Sequence, residues 1–191
     1  SNIKNDSKGA LYSRRLDVIR FAVKNDPDLL DLFGRGWDVF RFNQKSFVGR
    51  LGNRFADFLY RIGFRDNSFE SVYKGEIDSK KDGILGYRFN FCFENASGRP
   101  GYITEKIFDA MLYGAIPVYI GASNIAKYIP EECYIDAERF RCTGELFEYL
   151  RSLRDEDISR IHASIDSFLT SPSYAEFAVE SYVTTIIRHL R

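Results

Sequence analysis

Near the start of the chain, Leu16, Ile19, Ala22 and Val23 recur at helical spacing, Ser13 stands where an N-cap would, and Asn25-Asp26-Pro27 closes the helix. Leu29 to Phe33 is a short apolar run stopped by Gly34-Arg35-Gly36-Trp37, which predicts a strand entering a tight turn. Residues 38–72 mix aromatics, Arg, Asn and Gly without a clean period and read as an irregular insertion with one helix, roughly Arg54 to Ile62. The centre is clearer. Tyr87 to Phe93 alternates as a strand, and Glu94 to Gly101 is a polar, Gly-rich loop. Thr104 to Tyr113 then sets Ile107, Ala110 and Met111 on one helical face before Gly114 ends it. Ala115 to Ile120 is a continuous apolar strand broken by Gly121, Ser123 caps a short helix towards Tyr128, and Cys133 to Asp136 is another short strand. Thr143 opens a helix through Leu153, and the last ~35 residues read as helix divided by Pro172.

Strand, Gly-rich loop, helix, strand is the alternation of an α/β fold with a parallel sheet, in which ligands bind at the carboxyl ends of the strands. The pattern gives a polar lead-in over residues 1–10, a Rossmann-like domain over 11–170 and a C-terminal helix over 171–191. The length of 191 residues fits one domain, two at most. The 17 Phe and 12 Tyr supply a sizeable aromatic core.

Lys+Arg and Asp+Glu are 27 each, so nothing in the whole-chain charge points to nucleic acid or to an acidic membrane. No apolar run is long enough to span a bilayer. Cys92, Cys133 and Cys142 are odd in number and form no CxxC pair, which points away from a disulfide framework and towards a reducing compartment. The sole Met is Met111, and the chain opens on Ser1-Asn2, so it reads as a trimmed piece of a longer protein.

The loop between Phe93 and Thr104 is where chemistry is expected. The N–H groups at the start of the following helix lack intrahelical partners, and the helix dipole favours an anion there. Lys106 in that first turn is mildly unfavourable for the helix and is explained by an anionic ligand. Asn95, Tyr102, Thr104 and Glu105 add groups suited to a ribose or a base. The competing reading is a capped helix with a solvated Glu-Lys pair.

Tyr87-Arg88-Phe89-Asn90-Phe91-Cys92-Phe93-Glu94-Asn95, followed by Gly101-Tyr102-Ile103-Thr104-Glu105-Lys106-Ile107, resembles the α-1,3-fucosyltransferase motif of glycosyltransferase family 10. Asp109-Ala110, Gly114, Ile116-Pro117-Val118-Tyr119, Gly121 and Asn124 continue the likeness. Ser13-Arg14-Arg15, Phe33-Gly34-Arg35-Gly36, Tyr73-Lys74-Gly75 and Lys80-Lys81 match upstream landmarks, so it covers roughly residues 11–140. The resemblance implies the C-terminal, donor-binding half of a two-domain GT-B transferase. An N-terminal domain, which this chain does not match, would hold the acceptor oligosaccharide and the general base, so that the fragment alone is inactive. The implied reaction moves L-fucose from GDP-fucose to an acceptor hydroxyl with inversion, with no metal and no cofactor beyond that donor. Another GDP-sugar as donor, or a non-catalytic nucleotide-binding role, are the alternatives. The implied location is cytoplasmic, free or at a membrane periphery, or the Golgi lumen if an anchor precedes the fragment.

By the same resemblance, Lys106 and Arg15, or its neighbour Arg14, clamp the pyrophosphate, and Lys106 and Arg15 act as the catalytic cations of this half. Glu105 holds ribose or sugar hydroxyls, and Asn95, Tyr102 and Thr104 touch the donor. Glu94 is either a second contact or a loop-fixing residue. Tyr119-Ile120-Gly121 either walls the nucleotide or is core strand and turn. Arg99-Pro100 lengthens the loop relative to some bacterial family members, and Arg99 is a further candidate phosphate donor. Asp26-Pro27-Asp28 and Asp155-Glu156-Asp157 match the metal-holding DxD pair of another transferase class but read as helix caps, and neither His162 nor His189 stands at ligand spacing from a Cys.

Overall fold

The computed structural model describes residues 11–39 and 47–177, residues 47–50 by backbone only. The chain divides into two compact units, residues 1–83 and 84–191.

In the first unit, α1 (Tyr12–Asn25) begins one residue before Ser13, with Leu11 at the N-cap and no side-chain cap bond. Ser13 therefore lies inside the first turn. Asp26 ends the helix and accepts the Asp28 N–H at 3.2 Å to cap a 3₁₀ turn over Pro27–Leu29. The predicted strand shortens to β1 (Leu32–Phe33), since Pro27 commits its first half to that turn. α2 spans Phe47–Arg61, longer than the sequence pattern shows. β2 (Tyr73–Gly75) pairs with β1 in parallel. Ile19, Ala22, Leu32, Trp37 and Val72 form the core, with the Phe69 ring edge-on to Trp37 at 5.7 Å.

The second unit carries a parallel sheet of β3 (Phe89–Phe93), β4 (Ile116–Ile120) and β5 (Ile135–Asp136), in that order. β3 and β4 run in register from Phe89↔Ile116 to Phe93↔Ile120. β4 is buried throughout, as a central parallel strand covered on both faces must be. Pro117 is tolerated there for a local reason. The Ile116 N–H bonds to Arg88 on the β3 side, so by alternation the missing donor of Pro117 faces β5, whose pairing starts only at Val118↔Ile135.

α3 (Glu105–Leu112) joins β3 to β4 and buries Ile107, Ala110 and Met111. It ends at Gly114, whose φ of 82° lets the Ala115 N–H reach back to the Ala110 carbonyl at 2.9 Å. α4 (Thr143–Ser152) buries Leu146, Phe147 and Leu150, with Phe147 5.8 Å from Phe91 of β3. α5 (Asp155–Leu169) buries Ile165 and Phe168. Its opening Asp155-Glu156-Asp157 complements the helix dipole, and Asp157 accepts the Arg154 N–H at 3.2 Å. α6 (Pro172–Ala175) follows, and Tyr174 and Phe177 lie 5.9 and 4.8 Å from Phe108 of α3. The expected helix beyond residue 177, with His189, lies outside the described residues.

The three cysteines are free thiols in unequal surroundings: Cys92 and Cys133 are buried, Cys142 exposed. Burial pushes the Cys133 thiol up to about 11, and burial together with the nearby Glu94 carboxylate raises Cys92 further. The thiolate is the reactive form, so an aromatic disulfide reagent at neutral pH is expected to titrate one thiol in the native chain and all three in urea. Prompt native reaction of two or three would contradict this packing.

Candidate functional site

The loop from Glu94 to Thr104 leaves the carboxyl end of β3 and folds back over the end of β4. The Glu94 N–H continues the ladder to the Ile120 carbonyl at 2.8 Å, and the Gly98 N–H bonds to the Gly121 carbonyl at 2.9 Å. Asn124 accepts the Gly101 N–H at 2.7 Å, and the Ser123 hydroxyl donates to Gly98 at 3.4 Å. Gly98 and Gly101 take φ of 71° and 72°, where a Cβ would strain the turn. Asn124 carries no assigned role in the sequence reading, because nothing local shows that it reaches a backbone N–H 23 residues away. Asn124→Ala is expected to cost about 1 kcal/mol, one hydrogen bond, read as a lower urea midpoint at unchanged slope.

At the inner end of the loop, Glu94 is fully buried. Its carboxylate accepts the Thr104 N–H at 2.8 Å, the Thr104 hydroxyl at 2.8 and 3.0 Å, and the Lys106 Nζ at 3.0 Å. Lys106 also donates to the Thr104 hydroxyl at 2.9 Å, closing a triangle. Thr104 is the N-cap of α3, yet its hydroxyl makes no cap bond and serves the triangle instead. The anion that offsets Lys106 at this helix start is thus the chain's own carboxylate. Glu94 is sealed from solvent in this arrangement and holds Thr104 and Lys106. Lys106 stays 28% exposed, and with two N–H donors committed its third is left for an outside acceptor.

Tyr119 and Gly121 support this triangle from below. Tyr119 is buried, and its hydroxyl accepts the Ala122 N–H at 2.9 Å. Burial pushes the phenol up to about 12, with the Glu94 charge adding to the rise. A Cβ on Gly121 would stand 2.3 Å from the Tyr119 hydroxyl and 2.6 Å from Glu94 Cγ. Both are thus packed as core strand and close turn, directly beneath the loop that carries the other candidate donor contacts.

Tyr102 is half-buried, and Asn95, Arg99 and Glu105 are exposed, all within the segment that carries Lys106. Arg14 and Arg15 lie in the first turn of α1, in the other compact unit, with partly exposed side chains. Among the described residues no group of three or more His, Cys, Asp or Glu is placed to hold a metal ion. No helix among them is long and apolar enough to cross a membrane.

A parallel sheet with polar side chains gathered past the carboxyl ends of two adjacent strands defines an open α/β protein, in which ligands bind at this end of the sheet. The model of glycosyltransferase family 10 (fucosyltransferase), C-terminal part, matches residues 57–161, and the chain belongs to that family. The α-(1,3)-fucosyltransferase FucT of Helicobacter pylori is 35% identical over 141 residues, covering 69% of this chain and 27% of that protein. An α-(1,4)-fucosyltransferase of Arabidopsis thaliana is 37% identical over 79 residues, 40% of this chain and 20% of that protein. The matched part of the chain thus spans only about a quarter or less of these relatives' length. A crystal structure of an α1,3-fucosyltransferase with GDP aligns at 23% identity and a TM-score of 0.43, over 84% of this chain and 48% of that one.

Proposed function

We propose that this chain is the donor-binding part of a fucosyltransferase that takes L-fucose from GDP-fucose and passes it, with inversion and without a metal, to a hydroxyl of an acceptor glycan. The observation that carries the reading is the triangle of Glu94, Thr104 and Lys106, which holds a half-exposed segment bearing Asn95, Tyr102 and Glu105 at the strand ends of a family 10 chain.

In this reading Lys106 gives its third N–H to the donor diphosphate, and Glu105 accepts from sugar or ribose hydroxyls. The Glu94–Lys106 pair is neutral as a unit, so much of the positive charge that stabilises the departing GDP must come from arginines. Arg15 or Arg14 takes that role, with Arg99 as a further donor; the planar guanidinium suits a phosphate because it can give two parallel hydrogen bonds. The general base and the acceptor oligosaccharide are assigned to an N-terminal domain. The compartment assigned is the cytoplasm, free or at a membrane periphery, or the Golgi lumen if an anchor precedes this part.

A thermal-shift panel of GDP, GDP-fucose, GDP-mannose and UDP tests the donor class. Ligand at ~100 Kd adds ~2.7 kcal/mol to stability, and the chain is expected to gain this with GDP and GDP-fucose. Stabilisation by UDP and not by GDP would overturn the proposal.

A further inference from the structure

Helix α2 wears its apolar side outward. Among its described side chains Asn53 and Ala56 are buried, whereas Leu51, Phe55 and Phe58, with Ile62 just past its end, are each more than half exposed. Spaced by four, three and four, these four fall within about 60° of one another around the helix, away from Asn53 and Ala56. The Phe55 and Phe58 rings stack with centroids 6.4 Å apart. Phe64, in the turn that closes the helix, is exposed as well. Arg54 and Arg61 stand exposed along one flank of this stripe, and the helix carries three arginines against one aspartate.

A patch of this kind is larger than the scattered apolar residues of an ordinary surface and calls for an occupant. The arginines beside the stripe ask the occupant for negative charge as well as an apolar surface. A sheet of lipid phosphates supplies both the missing negative charge and an apolar layer beneath it. A helix with a sharply one-sided apolar stripe, little net hydrophobicity and arginines beside the stripe is the form that lies in a bilayer interface. We infer that α2 and the Phe64 turn dock this protein onto an anionic lipid surface, with Phe55 and Phe58 entering the headgroup boundary and Arg54 and Arg61 pairing with lipid phosphates. The inference stands apart from the nucleotide reading.

The test is co-sedimentation of the 191-residue chain with vesicles of phosphatidylcholine alone and of phosphatidylcholine mixed with phosphatidylglycerol. The chain is expected to pellet with the mixed vesicles and much less with the neutral ones, and to be released by high salt. Arg54→Gln and Arg61→Gln are each expected to lower partition about fivefold. The Phe55→Ser, Phe58→Ser pair is expected to lower it by about tenfold. All four changes fall at exposed positions, so the far-UV spectrum should not move. The arginine variants keep the stripe intact and stand as a second line if the aromatic pair misfolds. A chain that stays in the supernatant with mixed vesicles would overturn the inference. So would partition indifferent to Phe55 and Phe58, or a concentration-dependent dimer abolished by the same pair with no lipid binding.

Discussion

Lys106→Met is expected to lower both the stability of the chain and its affinity for GDP, and the two losses are separable. The change keeps the aliphatic stem and removes a cation that contacts the fully buried Glu94. Breaking a buried ion pair by removing one partner is costly because the other charge stays behind; as Lys106 is partly hydrated, about 2–3 kcal/mol is expected. Glu94→Gln in the same chain removes the orphaned charge and leaves an amide oxygen for the Thr104 N–H, so the double variant should regain most of that stability. GDP affinity should not return. A hydrogen bond from a charged donor to phosphate contributes about 1.5–3 kcal/mol, and both variants lack it. Urea melts of the unchanged chain, the Lys106→Met variant and the double variant, with GDP titrations of each, make the comparison. Full recovery of GDP affinity in the double variant would show that Lys106 is only a structural counter-ion.

Gly121→Ala is the second large effect. Gly121 has no positive φ, so the demand is for space and not for backbone freedom. The added methyl would meet the Tyr119 hydroxyl at 2.3 Å, and Glu94 Cγ and Tyr119 Cζ at 2.6 Å. Tyr119 is held by the Ala122 N–H and Glu94 by Thr104 and Lys106, so neither gives way cheaply. Overpacking of this kind costs about 3 kcal/mol, or about 6–12 °C in Tm for a chain of this size. Tyr119→Phe in the same chain removes only the closest contact and should restore part of the loss. A Tm unchanged within about 2 °C would contradict the packing of Gly121 against this pair.

The elements around the site were legible because their signals are local. The aromatic alternation before Phe93, the helical face of Ile107, Ala110 and Met111, and the apolar run from Ile116 to Ile120 bounded by Gly114 and Gly121 all recur within a residue or two of their expected bounds. β2 was not legible: three residues are too few to show a period, and its partner β1 has only two. The first half of α2 was hidden by Gly49, Gly52 and Asn53, which are poor helix formers. The division after Gly83 follows the polar run Asp78-Ser79-Lys80-Lys81-Asp82, which a surface loop inside a single domain would carry equally well.

Within the site, the motif placed Glu94 and Lys106 in one segment. Nothing in a polar, Gly-rich loop told that Glu94 would be sealed from solvent. That depends on the loop folding back over the end of β4, with Gly98 bonded to Gly121 and Gly101 to Asn124, which are long-range contacts. The same folding packs Tyr119 and Gly121 against Glu94. Lys106 has an internal carboxylate partner that the motif did not reveal.

The most direct measurement is a crystal structure of the chain with GDP. The account predicts the diphosphate within hydrogen-bond distance of the Lys106 Nζ, with Glu94 still beneath it and Tyr102 and Glu105 against the nucleotide. GDP bound elsewhere on the chain, or a Lys106 that stays turned to Glu94 and Thr104 alone while the nucleotide is in place, would contradict it.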